Sequence, residues 1–167
     1  MFSRQFVRGE PDWFLLSLER TANKSGRHFE ILRTLKSHYP NLYFLRADAI
    51  SFVAQQVPDT KFDKIFLLYP NPYPKKKQSN LRWHNMSFFS ELLRTLKPGG
   101  QIEMRTNLDW YSKEFEKALN ERFAQLRLIT KNVLGNEHSP QTAFEKKYLE
   151  QGQSCFQLIY RLQENSN

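Results

Sequence analysis

The chain has 167 residues, 40% of them apolar and 14% aromatic, with 6 glycines and 8 prolines, which excludes a disordered, collagen-like or coiled-coil chain and suffices for one domain with its own core. Lysine and arginine number 25 against 17 acidic residues, a net charge of +8, so the question is where the basic residues gather. No apolar run approaches the ~20 residues of a membrane-spanning helix, residues 1–9 lack the long apolar stretch of a secretory signal, and one cysteine, Cys155, cannot form an internal disulfide. The expectation is a soluble cytoplasmic protein without membrane association. A single domain over residues 1–162 and a polar tail over 163–167 are expected.

In chain order, Asp12–Leu18 reads as a strand buried on both faces. Residues 27–38 place Phe29, Ile31, Leu32 and Leu35 at helical spacing, with Pro40 as a stop. Leu42–Leu45 reads as a second strand and 50–56 as a short helix closed by Pro58. Lys64–Tyr69 is the clearest buried strand. The stretch 70–82 is too rich in proline and lysine to be regular. A helix is predicted over 87–96, ended by Lys97-Pro98-Gly99-Gly100, and a strand over 101–106. A helix over 110–119, a strand over 123–131, a helix over 143–150 and a strand over 155–162 complete the pattern.

Strands alternating with helices argue for an α/β sheet, mostly parallel, with an antiparallel partner at its end. Ligands in such sheets sit beyond the carboxyl ends of the strands. That singles out the polar residues following each strand: Glu19, Asp48, Asn71 and Asn107. A carboxylate after a strand suits a ribose, because it accepts from both hydroxyls. Glu19 fits this role, and Asp48 suits an adenine amino group.

The segment Tyr69-Pro70-Asn71-Pro72-Tyr73-Pro74-Lys75-Lys76-Lys77 is the most distinctive. Residues before proline are driven out of right-handed helical space, so Asn71 is presented on a constrained backbone between two aromatic side chains. Lys75, Lys76, Lys77 and Arg82 suit the phosphates of a nucleic acid whose bases lie against the aromatic rings. Trp110-Tyr111 and Cys155 read as core, and His28 and His38 as solvated or capping residues. His84, beside Trp83, suits an RNA contact or a helix start.

The segment resembles the F-P-D-P-W-x-K signature of bacterial tRNA (guanine-N7)-methyltransferases. Leu96-Lys97-Pro98-Gly99-Gly100, Thr106-Asn107 with Tyr111 after it, and Thr142-Ala143-Phe144-Glu145 with Gly152 later resemble further elements of that family in the same order. The resemblance implies a class I, Rossmann-like methyltransferase sheet that uses S-adenosylmethionine and acts on tRNA. Carried over by position, Glu19 and Asp48 face the cofactor and Asn71 stands at the catalytic aspartate, also near the cofactor. Lys75, Asn107, Thr142, Ala143, Phe144 and Glu145 stand at substrate positions.

Two departures qualify the comparison. Asparagines occupy 71 and 107 where the family has aspartates, so a carboxylate acceptor is replaced by an amide that also donates. No E-x-G-x-G strand precedes Leu18-Glu19, and the first nine residues resemble the tail of the helix that follows such a motif. The expectation is an N-terminally truncated version of the fold, a remnant, or a sheet completed by a homodimer mate or partner chain. The alternative to an active methyltransferase is a catalytically impaired RNA- or partner-binding protein on the same fold.

Overall fold

The computed structural model describes residues 2–21, 39–135 and 137–164. The chain divides into two compact units, Met1–Gln56 with Gln141–Ala143, and Val57–Pro140 with Phe144–Asn167.

The first unit holds helix α1 (Phe2–Gly9), strands β1 (Leu15–Leu18) and β2 (Leu42–Leu45), and helix α2 (Ala49–Gln56). The two strands pair in parallel, Leu15 opposite Leu42 and Leu18 opposite Leu45. The strand expected from Asp12 starts only at Leu15. Residues 11–14 are held in a turn, where the Asn41 side-chain amide donates to the carbonyls of Pro11 and Trp13 at 3.3 and 2.9 Å. Burial on both faces is not observed either: β1 is half-buried along its length and Phe14 beside it is 74% exposed. The helix expected over 27–38, with His28 and His38, lies outside the described residues.

The second unit carries strand β3 (Phe62–Leu68), 3-10 turns at Lys76–Leu81 and Trp83–Asn85, helix α3 (Phe88–Arg94) and strand β4 (Leu96–Thr106). Helix α4 (Asp109–Arg122), strand β5 (Leu126–Leu134), helix α5 (Ala143–Glu150, all but its first residue) and strand β6 (Cys155–Leu162) follow. Its sheet runs β3-β4-β6-β5. β3 and β4 are parallel, while β6 is antiparallel to both β4 and β5. This is the expected change from parallel pairing to an antiparallel end.

Three boundaries move for identifiable reasons. Leu96 leaves the helix for the strand, because the chain already pairs with β3 at Phe62; the irregularity in register is taken up by Pro98-Gly99-Gly100. Gly99 has φ +77°, and a Cβ on Gly100 would lie 2.8 Å from the Lys97 carbonyl, so glycine is required at both. Helix α4 starts at Asp109 without a side-chain cap and runs to Arg122, two features no local signal marks. Phe123 belongs to the end of that helix and to the core, its ring 5.0 Å from Phe89, so the strand begins only at Leu126.

Alternation along β4 separates two faces. Ile102 and Met104, both fully buried, lie on the side covered by Phe89, Leu92 and Leu93 of α3 and Phe115 and Leu119 of α4, together with Leu158 and Tyr160 of β6. Full burial of each such side chain stabilises by about 1.5–3 kcal/mol. The opposite face carries Glu103 and Arg105, each 3% exposed. Among the described residues, no helix is long and apolar enough to cross a membrane.

Candidate active site

In the first unit, Glu19 directly follows β1, and its backbone N–H donates to the Leu45 carbonyl at the end of β2. Its carboxylate accepts from the Thr21 N–H at 2.8 Å and the Thr21 hydroxyl at 2.7 Å. Asp48 caps helix α2, accepting from the Ser51 N–H at 3.0 Å, the usual N-cap geometry. Arg20 reaches within 3.8 Å of its other oxygen. Both carboxylates thus stand at the carboxyl ends of parallel strands, and each is oriented by its own segment. Thr142, buried, and Ala143, exposed, are also assigned to this unit.

The second unit holds Asn71. Leu68 at the end of β3 pairs with Arg105 on β4, so the loops bearing Asn71 and Asn107 leave the same end of two adjacent parallel strands. Tyr69 and Tyr73, each preceding a proline, have φ of 52° and 44°. Non-glycine residues in this region cost on the order of 1–3 kcal/mol each and persist only where the surroundings impose them. Asn71 is exposed, and its Oδ1 accepts from the Tyr73 N–H at 3.3 Å. That turn fixes which way the amide faces. Asn107 donates through Nδ2 to Gln153 Oε1 at 3.2 Å.

Arg82 explains part of the loop's shape. Its Nε and Nη2 donate to the Tyr73 carbonyl at 3.2 and 3.0 Å, and Nε also reaches the Pro72 carbonyl at 3.2 Å. Nη1 pairs with Glu114, and the guanidinium lies over the Trp110 ring, 4.9 Å from its centroid. With a side chain only 9% exposed, Arg82 clasps the loop from within, where sequence reading set it among the phosphate contacts. Lys75, Lys76 and Lys77 are all exposed immediately beyond the loop.

Glu114 gathers more than Arg82. It accepts from His84 Nε2 at 3.1 Å and from the Asn85 amide at 3.0 Å. Burial raises its carboxyl, but these three donors outweigh burial and hold it below the ordinary carboxylate range. His84, which sequence reading placed at an RNA surface or a helix start, is fully buried against Tyr111 and Phe115. Burial lowers its pKa, with Glu114 opposing.

Glu145 is fully buried. Its Oε1 accepts from the Tyr69 hydroxyl at 3.0 Å and from Arg105 Nη1 at 2.9 Å. Arg105 Nε donates to Glu103 at 2.6 Å, and Lys64 and Gln157 each approach Glu103 at 2.8 Å. Burial acts against charge on Glu103 and Arg105, yet their neighbours keep the carboxyl low and the guanidinium high. The Tyr69 phenol is pushed up by burial, then by the neighbouring Cys155 thiol and the Glu145 carboxylate. Phe144 is 49% exposed and stacks on Tyr69, ring centroids 6.1 Å apart. Lys64, Glu103 and Arg105 went unremarked in the sequence. The only trace was the alternation Ile102-Glu103-Met104-Arg105, an apolar face against a charged one.

Residues 3–158 match the model of a family described as "Putative methyltransferase". Among curated proteins, the tRNA (guanine-N(7)-)-methyltransferase of Neisseria gonorrhoeae (strain NCCP11945) is 23% identical over 161 residues, covering 96% of this chain and 67% of that protein. The protein of the same name from Nitrosococcus oceani is 24% identical over 157 residues, with 94% and 65% covered. The chain spans about half to two thirds of the length of the curated relatives it matches, from 47% to 67%. Among solved structures, an antibiotic-related methyltransferase superposes with a TM-score of 0.69 at 16% identity, over 95% of this chain and 80% of that one. The N-methyltransferase NodS from Bradyrhizobium japonicum, in complex with S-adenosylhomocysteine, gives 0.54 at 14%, over 90% and 67%. These likenesses establish the class I methyltransferase fold.

Proposed function

The chain belongs to the methyltransferase family whose model it matches over residues 3–158, and on that premise we propose that it transfers a methyl group from S-adenosylmethionine to N7 of a guanine in cytoplasmic tRNA. The observation that carries this reading is the loop after β3. Two tyrosines with positive φ bracket an exposed asparagine at a strand's carboxyl end, and three exposed lysines follow. The chain tolerates that strain where ligands of such sheets sit.

The donor set in the first unit suits the cofactor. Glu19 offers a carboxylate for the ribose hydroxyls, and Asp48, 37% exposed, offers one for the adenine amino group. S-adenosylmethionine, when bound, supplies a methyl group activated on its sulfonium. Guanine N7 has a free lone pair and no proton, so no residue of this chain has to serve as a base. What the chain contributes is alignment and exclusion of water.

Asn71 supplies discrimination. With Oδ1 turned to the Tyr73 N–H, it presents Nδ2, a donor that matches guanine O6 and opposes the adenine N6 amino group. Lys75, Lys76 and Lys77 meet phosphates, and Phe144 offers a face for stacking. Asn107, at the same end of the adjacent strand, borders the same substrate. A homodimer mate or second chain completing the sheet would pair beside β3, the parallel one of the two strands that end the four-stranded order; light scattering reads this as a mass above the monomer.

Incubation with unmodified tRNA and methyl-labelled S-adenosylmethionine, followed by nucleoside analysis, tests the reaction. Label in 7-methylguanosine is the expected result, and label in another nucleoside alone rejects it. One observation favours a second reading, a catalytically impaired RNA- or partner-binding protein: the amides of Asn71 and Asn107 are both engaged locally. Calorimetric titration with S-adenosylmethionine separates the two, since absence of heat at high ligand concentration together with retained tRNA binding supports the impaired form.

A further inference from the structure

Glu145 belongs to a segment read as facing substrate, yet the structure gives its carboxylate another occupation. It is fully buried. Oε1 accepts from two donors at once, the Tyr69 hydroxyl at 3.0 Å and Arg105 Nη1 at 2.9 Å. Its other oxygen lies 3.7 Å from His138 Nε2. Behind Arg105 the charges alternate across the sheet: Glu103 on the same strand, then Lys64 on β3, with Gln157 of β6 donating to Glu103.

A buried ionic array of this kind seldom stabilises a fold more than packed apolar side chains of the same volume would. What it does supply is direction, because each donor and acceptor has one favourable geometry. Here the array ends at a phenol hydroxyl. Tyr69 is also the first residue past β3, its N–H still bonded to the Arg105 carbonyl at 2.8 Å and its φ at 52°. Arg105 therefore holds Tyr69 twice, through its own carbonyl and through Glu145. The ring is further fixed by stacking on Phe144 and lying 5.8 Å from Tyr148.

We propose that Glu145 is a positioning residue: oriented by Arg105, it anchors the Tyr69 hydroxyl and so sets the backbone from which the Asn71 loop and the three lysines project, and it does not itself read the base. The claim rests on the methyltransferase reading only in taking that loop as the RNA-facing one. The anchoring itself is independent of any substrate.

The test uses the full chain and trypsin, which cleaves after Lys75, Lys76 and Lys77. Tyr69→Phe keeps the ring and removes only the hydroxyl; it is expected to raise the cleavage rate at these lysines about tenfold, the scale of losing a hydrogen bond to a charged group, with cleavage elsewhere nearly unchanged and the melting temperature lowered by only about 3–6 °C. Tyr148→Phe, in the same aromatic cluster, is the control and leaves the rate as it was. Glu145→Gln keeps an acceptor for the hydroxyl and is expected to remain within about threefold of the parent, whereas Glu145→Ala matches or exceeds Tyr69→Phe. Wild-type cleavage of Tyr69→Phe, or an acceleration equal at every site and tracking a fall in melting temperature, overturns the proposal; should the Glu145 variants fail to fold, Tyr69→Phe alone decides. tRNA affinity measured on Tyr69→Phe separates the two claims. Faster cleavage with unchanged affinity upholds the anchor and removes the loop from the RNA surface, while faster cleavage with weakened affinity supports both.

Discussion

Two buried arginines hold the same loop from opposite ends, and they do so differently. Arg82 works directly, its guanidinium fork reaching the carbonyls of Pro72 and Tyr73 beyond Asn71. Arg105 works at one remove, through Glu145 to the Tyr69 hydroxyl before Asn71. Arg82 balances its charge on Glu114, whose side chain is 32% exposed; Arg105 balances its own on Glu103 and Glu145, with side chains 4% and 0% exposed. The difference teaches that one cluster can exchange its counter-charge with water and the other cannot. Disturbing the two should therefore have unequal costs.

The largest effect is expected from Arg105→Ala. It leaves two buried carboxylates without their shared cation, a loss of about 3–5 kcal/mol, measurable as a lowered denaturant midpoint or failure to fold. A loss below about 1 kcal/mol, the scale of an exposed pair, would mean that the buried array is not closed to solvent.

Arg82→Lys keeps the charge and removes the fork. The expected loss is about 1–3 kcal/mol, accompanied by faster tryptic cleavage at the lysines. Unchanged stability would show that a single point charge suffices at that end of the loop.

Acid should sharpen the contrast further. His84, ordinarily near 6.5, is held down by burial, so below 6.5 the unfolded chain binds the proton first. Stability from this group is complete above that value and declines as pH falls toward the folded pKa. Glu103 and Glu114, both held low, contribute a second decline, as pH falls from the usual carboxylate range through their folded values. Denaturant midpoints across this range should show both stages, and His84→Gln should remove the first while leaving the Glu103 part of the second. A first stage that survives this substitution must come from another group.

Replacing Lys75, Lys76 and Lys77 together by alanine should leave folding stability within about 0.5 kcal/mol, as is usual for exposed side chains. Its effect belongs to binding. The dependence of log tRNA affinity on log salt should flatten by roughly 0.7–0.9 for each phosphate no longer neutralised by a lysine, and an unchanged slope would place the RNA elsewhere.

Much of this architecture was legible beforehand. The strands at Leu42–Leu45 and Cys155–Leu162 and the helix at Ala143–Glu150 lie where their apolar patterns put them. The boundaries that moved did so because Phe62 paired with Leu96 and Phe123 packed on Phe89, long-range pairings that no local pattern announces. The same holds at the candidate site. Proline spacing marked the constrained loop around Asn71, but the positive φ at Tyr69 and Tyr73 depends on what grips them from Arg82 and Arg105.

By itself the amino-acid order determined the alternation of strand and helix, the polar residues that terminate the strands, and the cluster Lys75-Lys76-Lys77. Those follow from neighbours in the chain, through side-chain periodicity and proline sterics. Only tertiary structure decided that Arg82 turns inward, that His84 is buried, and that Glu145 meets a tyrosine 76 positions earlier. Whether a charged side chain faces water or a buried counter-charge depends on desolvation and on partners brought from distant segments, and neither is written in the local sequence.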